Sequence, residues 1–242
     1  MRIEPLTIAA IQTALASGWH TANATRGISA AYAAVFTLGG LVILGSLLTL
    51  GFTPFVIAAA GAFMLVGPAI LAGFFGIARA HEAGRRAAMG DIAAGFREAP
   101  GSIWVIALIC ALLFMIFVTD AAILYSYMVG ATPVWLADLV PTSAGVRNFL
   151  IWGAVSGFVI ALMLYTVSAF SVPLLCDRRA GLVNAVVASA RIVFGNLPVA
   201  LFWAALLSSL VIGSILLLPL LPLTLPWLAY ASRSLYQQIL PA

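Results

Sequence analysis

The chain is 242 residues long, 64% hydrophobic and only 7% charged, where an average soluble domain is roughly 45–50% apolar and about 25% charged. A soluble fold this poor in charge could not cover its own surface, so the composition excludes a water-borne domain and makes lipid the natural solvent. The net charge of +4 comes from 11 arginines with no lysine; no nucleic-acid partner is expected.

The N-terminal stretch "MRIEPLTIAAIQTALASG" has no arginine-rich start leading into a continuous apolar core, and no small-residue cleavage site. A removable signal peptide is therefore not expected. Ile8, Ile11, Leu15 and Trp19 instead recur at helical spacing opposite Thr13, Ser17 and His20. This predicts an amphipathic helix that breaks near Arg26-Gly27.

A bilayer-spanning helix needs about 20 predominantly apolar residues. Spans are predicted at 28–52 and 54–78, joined by the uncharged turn "GFTP". Gly67-Pro68 is expected to break the second span near its centre, since proline removes a helix hydrogen bond and kinks the axis. Ala72, Gly76 and Ala80 form a small-residue row on which another helix can pack.

Next comes "GIARAHEAGRRAAMGDIAAGFREAPG", which holds seven of the chain's 18 charged residues. Inside it, Met89, Ile92 and Phe96 mark a second amphipathic helix, stopped by Pro100-Gly101. The third span is predicted at 102–129 and contains Asp120. An ionisable residue within a membrane is a functional candidate by default, so Asp120, Gly67 and Pro68 form the candidate intramembrane polar site. Alternatively, the span ends near Thr119 and Asp120 faces external water.

In the following connection, Trp135, Leu136, Leu139 and Val140 suit a short helix lying on the membrane, with Trp135 as an interface anchor, or a contact with a partner subunit. The fourth span, 148–176, carries the GxxxG pair Gly153 and Gly157, continued by Ala161. Such rows let backbones approach closely in lipid. Pro173 is expected to kink its end. Leu182, Val186, Ala190 and Phe194 then mark a third amphipathic helix, broken at "GNLP". A fifth span follows at 197–218 and a sixth, proline-rich and polar at its end, at 220–239.

The fold class is thus all-α: a polytopic helical bundle of six spans in one membrane domain. Three repeat-like units, 7–78, 88–176 and 181–240, each place an interfacial helix before a two-helix hairpin. Ten of the 11 arginines fall on alternate connections, and Arg147 alone on the others. Arginine-rich short loops mark the cytoplasmic side, so both termini are expected in the cytoplasm of a bacterial inner membrane. On that side Arg79, Arg85, Arg86, Arg178 and Arg179 are candidates to meet anionic headgroups or a partner's acidic loops, although topology alone also explains their placement.

Little else in the chain carries chemistry. Cys110 and Cys176 are in neither a CxxC nor a CxxCH context. His20 and His81 sit at the membrane boundary rather than within spans, so no haem, metal or other cofactor is expected, and no enzyme motif is present.

Gly67-Pro68, Gly90-Asp91, "SVPLLCDRR" from Ser171 to Arg179, and "LPWLAYASRSLY" together resemble, in their order over residues 15 to 240, the bacterial membrane-protein family known as domain of unknown function 2189. That family has no established activity, and some members carry a cytochrome c oxidase description. The resemblance implies an association with the respiratory chain. Where family members often end L-G-H-A-T-W-H-L-Y, this chain reads Leu228 to Tyr236 with both histidines replaced, by Tyr230 and Ser234. A ligand held by that pair elsewhere would not be held here in the same way. The expected role is a cofactor-free accessory or assembly subunit beside other membrane subunits, the alternative being a transporter or channel for a small solute or lipid.

Overall fold

The computed structural model describes residues 4–51, 55–130 and 144–241; of these, the side chains of 55–66, 68, 69 and 216 lie outside the description. All the described regular structure is helical: α1 (Ile8–Ala24), α2 (Arg26–Thr49), α3 (Phe55–Glu82), α4 (Met89–Glu98), α5 (Gly101–Met128), α6 (Ala144–Ser168), α7 (Ser171–Cys176), α8 (Leu182–Gly195), α9 (Leu197–Leu216) and α10 (Leu221–Ile239). Four stretches among the described residues are long and apolar enough to cross a membrane: Arg26–Thr49, Gly101–Met128, Ala144–Cys176 and Leu197–Ile215. At 1.5 Å per residue the 28 residues of α5 extend about 42 Å, more than the roughly 30 Å of a hydrocarbon core. In lipid every backbone polar group must find a partner within the chain, which helices achieve.

The sixth predicted span is a helix, α10, but it is not among those four. Arg233, Gln237 and Gln238 make its second half polar. It packs lengthwise on α1, and the Glu4 N–H donates to the Ile239 carbonyl at 2.9 Å, so the two ends of the chain lie together. The Trp227 indole donates to the Leu15 carbonyl at 2.9 Å and meets the Trp19 ring edge-on.

The three amphipathic helices form where expected, as α1, α4 and α8, and each packs part of its stripe on the bundle: Ile11 and Ile92 are buried, and Leu15, Phe96, Leu182 and Val186 pack against the core. The bundle takes Ile11, Ala14 and Gly18 of α1, Ile92 and Gly95 of α4, and Ala185, Ala188, Ser189, Ile192 and Val193 of α8. Ile8, Trp19, Met89 and Phe194, all expected in the stripes, are more than half exposed. The physical reason is close approach: small residues let backbones meet, whereas bulky apolar ones are equally well solvated by lipid.

Two proline expectations also change. The chain runs as unbroken helix through Gly67 and Pro68; the Pro68 side chain lies outside the described residues. Near Pro173 the interruption falls earlier, at Ala169-Phe170 between α6 and α7, because a proline ring collides with the carbonyl four residues before it. Ser189 of α8 bridges this gap. Its hydroxyl accepts from the Phe170 N–H at 3.2 Å and donates to the Thr166 carbonyl at 2.7 Å. The segment with Trp135, Leu136, Leu139 and Val140 lies outside the described residues.

Between α1 and α2 the helix breaks at Thr25, whose hydroxyl does not cap α2. It joins Ser29 at 2.8 Å, and Ser29 meets the Tyr230 hydroxyl at 2.6 Å. This buried trio ties the α1–α2 corner to α10.

Candidate functional site

Two features stand out: a network of charges at one end of the bundle, and an apolar cavity along the spans beneath it. Arg233 of α10 is buried, only 5% exposed. Its Nε and Nη2 donate to both oxygens of Glu82, at 3.0 and 3.1 Å, and its Nη1 donates to Asp177 at 2.9 Å. The guanidinium also lies 5.3 Å from the centre of the Phe75 ring. Burial works against its charge, but hydrogen bonds and attraction from Glu82 and Asp177 outweigh it and hold Arg233 above its ordinary pKa. For Glu82, burial alone would raise the pKa; the hydrogen bonds and charge of Arg233, with smaller help from Gln237 and Arg79, bring it below the ordinary value.

The neighbouring arginines serve helix ends. Arg79 pairs with Glu98 at 3.0 Å and donates to the Cys176 carbonyl at 3.4 Å. Arg178 donates twice to the Glu98 carbonyl, at 3.0 and 2.8 Å. Arg179 reaches the Tyr236 hydroxyl and the carbonyls of Leu240 and Pro241. The carbonyls at the ends of α4 and α7 and just past α10 would otherwise lack donors, and cations suit the negative end of a helix dipole. Arg178 itself has φ 53°. It closes α7 in a Schellman turn, with the N–H groups of Arg178 and Arg179 on the carbonyls of Leu175 and Leu174. Arg85 pairs with Asp91 at 3.2 Å, while Arg86 is exposed.

The cavity measures about 430 Å³ and is bounded by α3, α5, α6, α9 and α10. Gly67, Gly153, Gly157 and Ala161 form part of its wall, with Phe117 and Leu228 facing them. A β-carbon added at Gly67 or Gly153 would meet nothing within 4 Å, whereas at Gly157 it would lie 3.1 Å from the Phe117 ring. Among the described residues, the polar side chains on the wall are Ser208 and Ser232. A water needs two to four polar partners to settle in a cavity, and this wall offers an apolar occupant much more.

Asp120 is not on that wall. It sits on α5, and its Oδ2 is buried without a hydrogen-bond partner among the described residues. Gly67 lines the cavity and Asp120 does not, although Phe117, one turn before Asp120 on α5, does. Ala72 and Gly76 face α4: a β-carbon at Gly76 would fall 2.1 Å from the Asp91 carbonyl oxygen, and one at Gly95 would fall 2.2 Å from that of Ala72. Among the described residues, no three His, Cys, Asp or Glu side chains gather as a metal site.

Sequence reasoning passed over Glu82, Asp177 and Arg233 as a unit. Arg233 sits between Leu228, Leu235 and Tyr236 in a helix with a buried face; an arginine inside such a pattern implies buried partners, and that was the available signal.

Compared with known proteins, residues 55–177 match the family described as predicted integral membrane protein (DUF2189), a stretch running from the start of α3 to Asp177. This is narrower than the 15 to 240 over which the motifs were traced. No curated protein and no solved structure matches the chain.

Proposed function

The chain belongs to the DUF2189 family of predicted integral membrane proteins, and from that membership we propose that it is a non-catalytic, cofactor-free accessory or assembly subunit of a larger membrane complex. One observation carries the reading: the cavity along the spans is walled, among the described residues, by apolar side chains apart from Ser208 and Ser232. A path for a polar solute or ion places ionisable groups or carbonyl rings at that depth. The outer faces of α2, α5 and α6 add support, with Leu38, Leu108 and Trp152 each more than half exposed. These faces suit lipid and neighbouring helices. The arginine distribution supports placing the charged end, with both termini, in the cytoplasm of a bacterial inner membrane. A respiratory complex such as a cytochrome c oxidase is the assembly that the family resemblance implies.

The second reading is a lipid transporter. The same apolar wall favours a lipid chain over a small polar solute, so the solute form of that reading has less behind it.

The test is purification of a tagged copy from its native membrane in mild detergent, with co-migrating proteins identified by mass spectrometry and haem by absorbance. Stoichiometric oxidase subunits with a haem spectrum, absent from an untagged control, are the expected result. A lone, colourless protein, reproducible in several gentle detergents, would overturn the subunit reading.

A further inference from the structure

A second cavity, of about 470 Å³, opens at the arginine-rich end between the start of α2 and the α3–α4 connection. His81, Arg85 and Arg86 line one side of it, and Gly27, Ile28 and Ala31 the other. Asp91 holds Arg85 in place with one carboxylate oxygen and caps α4 with the other, accepting from the Ala88 N–H at 2.8 Å. Arg86 is exposed and has no ion pair among the described residues. Glu82, the other carboxylate of this connection, is taken up by Arg233. The pocket is therefore left with an excess of positive charge.

Its apolar side does not stop at the pocket. Ile28 and Ala31 begin a row at helical spacing that continues through Val35, Leu38 and Val42, which are 63%, 63% and 68% exposed. From Ile28 to Val42 the row extends about 21 Å along α2, which exceeds half of a hydrocarbon core about 30 Å thick. A cationic pocket continuous with an exposed apolar track has the shape of one amphiphile. We propose that the pocket binds the headgroup phosphate of an anionic phospholipid, one acyl chain of which lies along Ile28, Ala31, Val35, Leu38 and Val42. The track selects a membrane lipid over a soluble phosphate compound, which would use the pocket and leave α2 bare. Gly27 gives the headgroup its room, since a β-carbon there meets nothing within 4 Å.

Any basic membrane surface attracts anionic lipid diffusely, so the test must separate a built pocket from charge alone. The full chain is extracted from vesicles of phosphatidylcholine with a minority of phosphatidylglycerol, and bound lipid is counted by native mass spectrometry. One retained phosphatidylglycerol per chain is expected. Arg86→Gln lowers its retention about fivefold. Gly27→Leu keeps every charge and fills the space, and lowers retention at least as much. Arg191→Gln, at an exposed arginine of α8 that does not line the pocket, leaves retention unchanged; gel filtration and helical circular dichroism certify the fold of each variant. Insensitivity to Gly27→Leu, or equal loss with Arg191→Gln, overturns the pocket in favour of diffuse attraction. Full displacement of the lipid by inorganic phosphate overturns the lipid in favour of a soluble ligand.

Discussion

Gly18 of α1 lies so close beneath Ala231 of α10 that a β-carbon on it would fall 2.5 Å from the Ala231 nitrogen. The obstacle is backbone and cannot rotate away. Gly18→Val is therefore expected to destabilise by about 3 kcal/mol, the upper end for overpacking. It should also loosen α1 from α10. Limited proteolysis near the N-terminus, together with tryptophan fluorescence from the Trp19–Trp227 pair, reads both effects.

Arg233→Leu removes the hydrogen-bonded cation between Glu82 and Asp177 and leaves only Arg79, 3.9 Å from Asp177, beside them. Breaking a buried pair on one side costs roughly 3–5 kcal/mol, and the half-exposed side chain of Glu82 places the expected loss at about 3 kcal/mol. Neutralising the carboxylates as well, with Glu82→Gln and Asp177→Asn, should recover most of it. Thermal unfolding midpoints in one detergent decide the matter.

The same cluster sets a response to acid. Glu82 has a folded-state pKa below its ordinary value of 4.5, so its contribution to stability is complete above that value. The contribution fades as pH falls through the lower, folded-state value. The unfolding midpoint of the native chain should therefore drop on acidification below pH 4.5 more than that of Glu82→Gln. Equal drops would place the acid-labile groups elsewhere.

Asp120 keeps a buried carboxylate oxygen without a partner among the described residues. Removing an unsatisfied buried acceptor relieves a penalty of about 1–3 kcal/mol, so Asp120→Leu should raise the unfolding midpoint. A fall in midpoint would mean that the carboxylate has a partner in the membrane.

Gly153 and Gly157 are neighbours on α6 with opposite surroundings. Gly153→Ala meets open space and gains about 1 kcal/mol of helix propensity. Gly157→Ala must push the Phe117 ring and should gain less or lose stability. Paired unfolding curves of the two variants read the difference between open space at Gly153 and the Phe117 ring at Gly157.

The number and position of the long helices were readable because apolar runs of that length have few other uses. Breaks at Thr25, Pro100 and Asn196 were readable from the flanking glycine, proline and polar residues. How far each apolar stripe packs inward was not. The pattern alone places the stripes along the interface, whereas the structure buries Ile11 and Ile92 from them, adds Ala14, Gly18, Gly95 and Ala185 beside them, and leaves Trp19 and Phe194 exposed, because small residues let backbones approach closely. The Arg233 cluster was hidden for another reason. Its members come from three distant parts of the chain, and as separate letters they read only as loop charges.

The seating of α1 against α10 has a consequence for biogenesis. Gly18 and Ala231 are separated by most of the polypeptide, and at about 5–20 residues per second the ribosome takes roughly 10–40 s to travel from one to the other. Throughout that interval α1 lacks the surface on which it packs in the folded chain. Once α10 is made it receives α1, and the Glu4–Ile239 hydrogen bond joins the two segments.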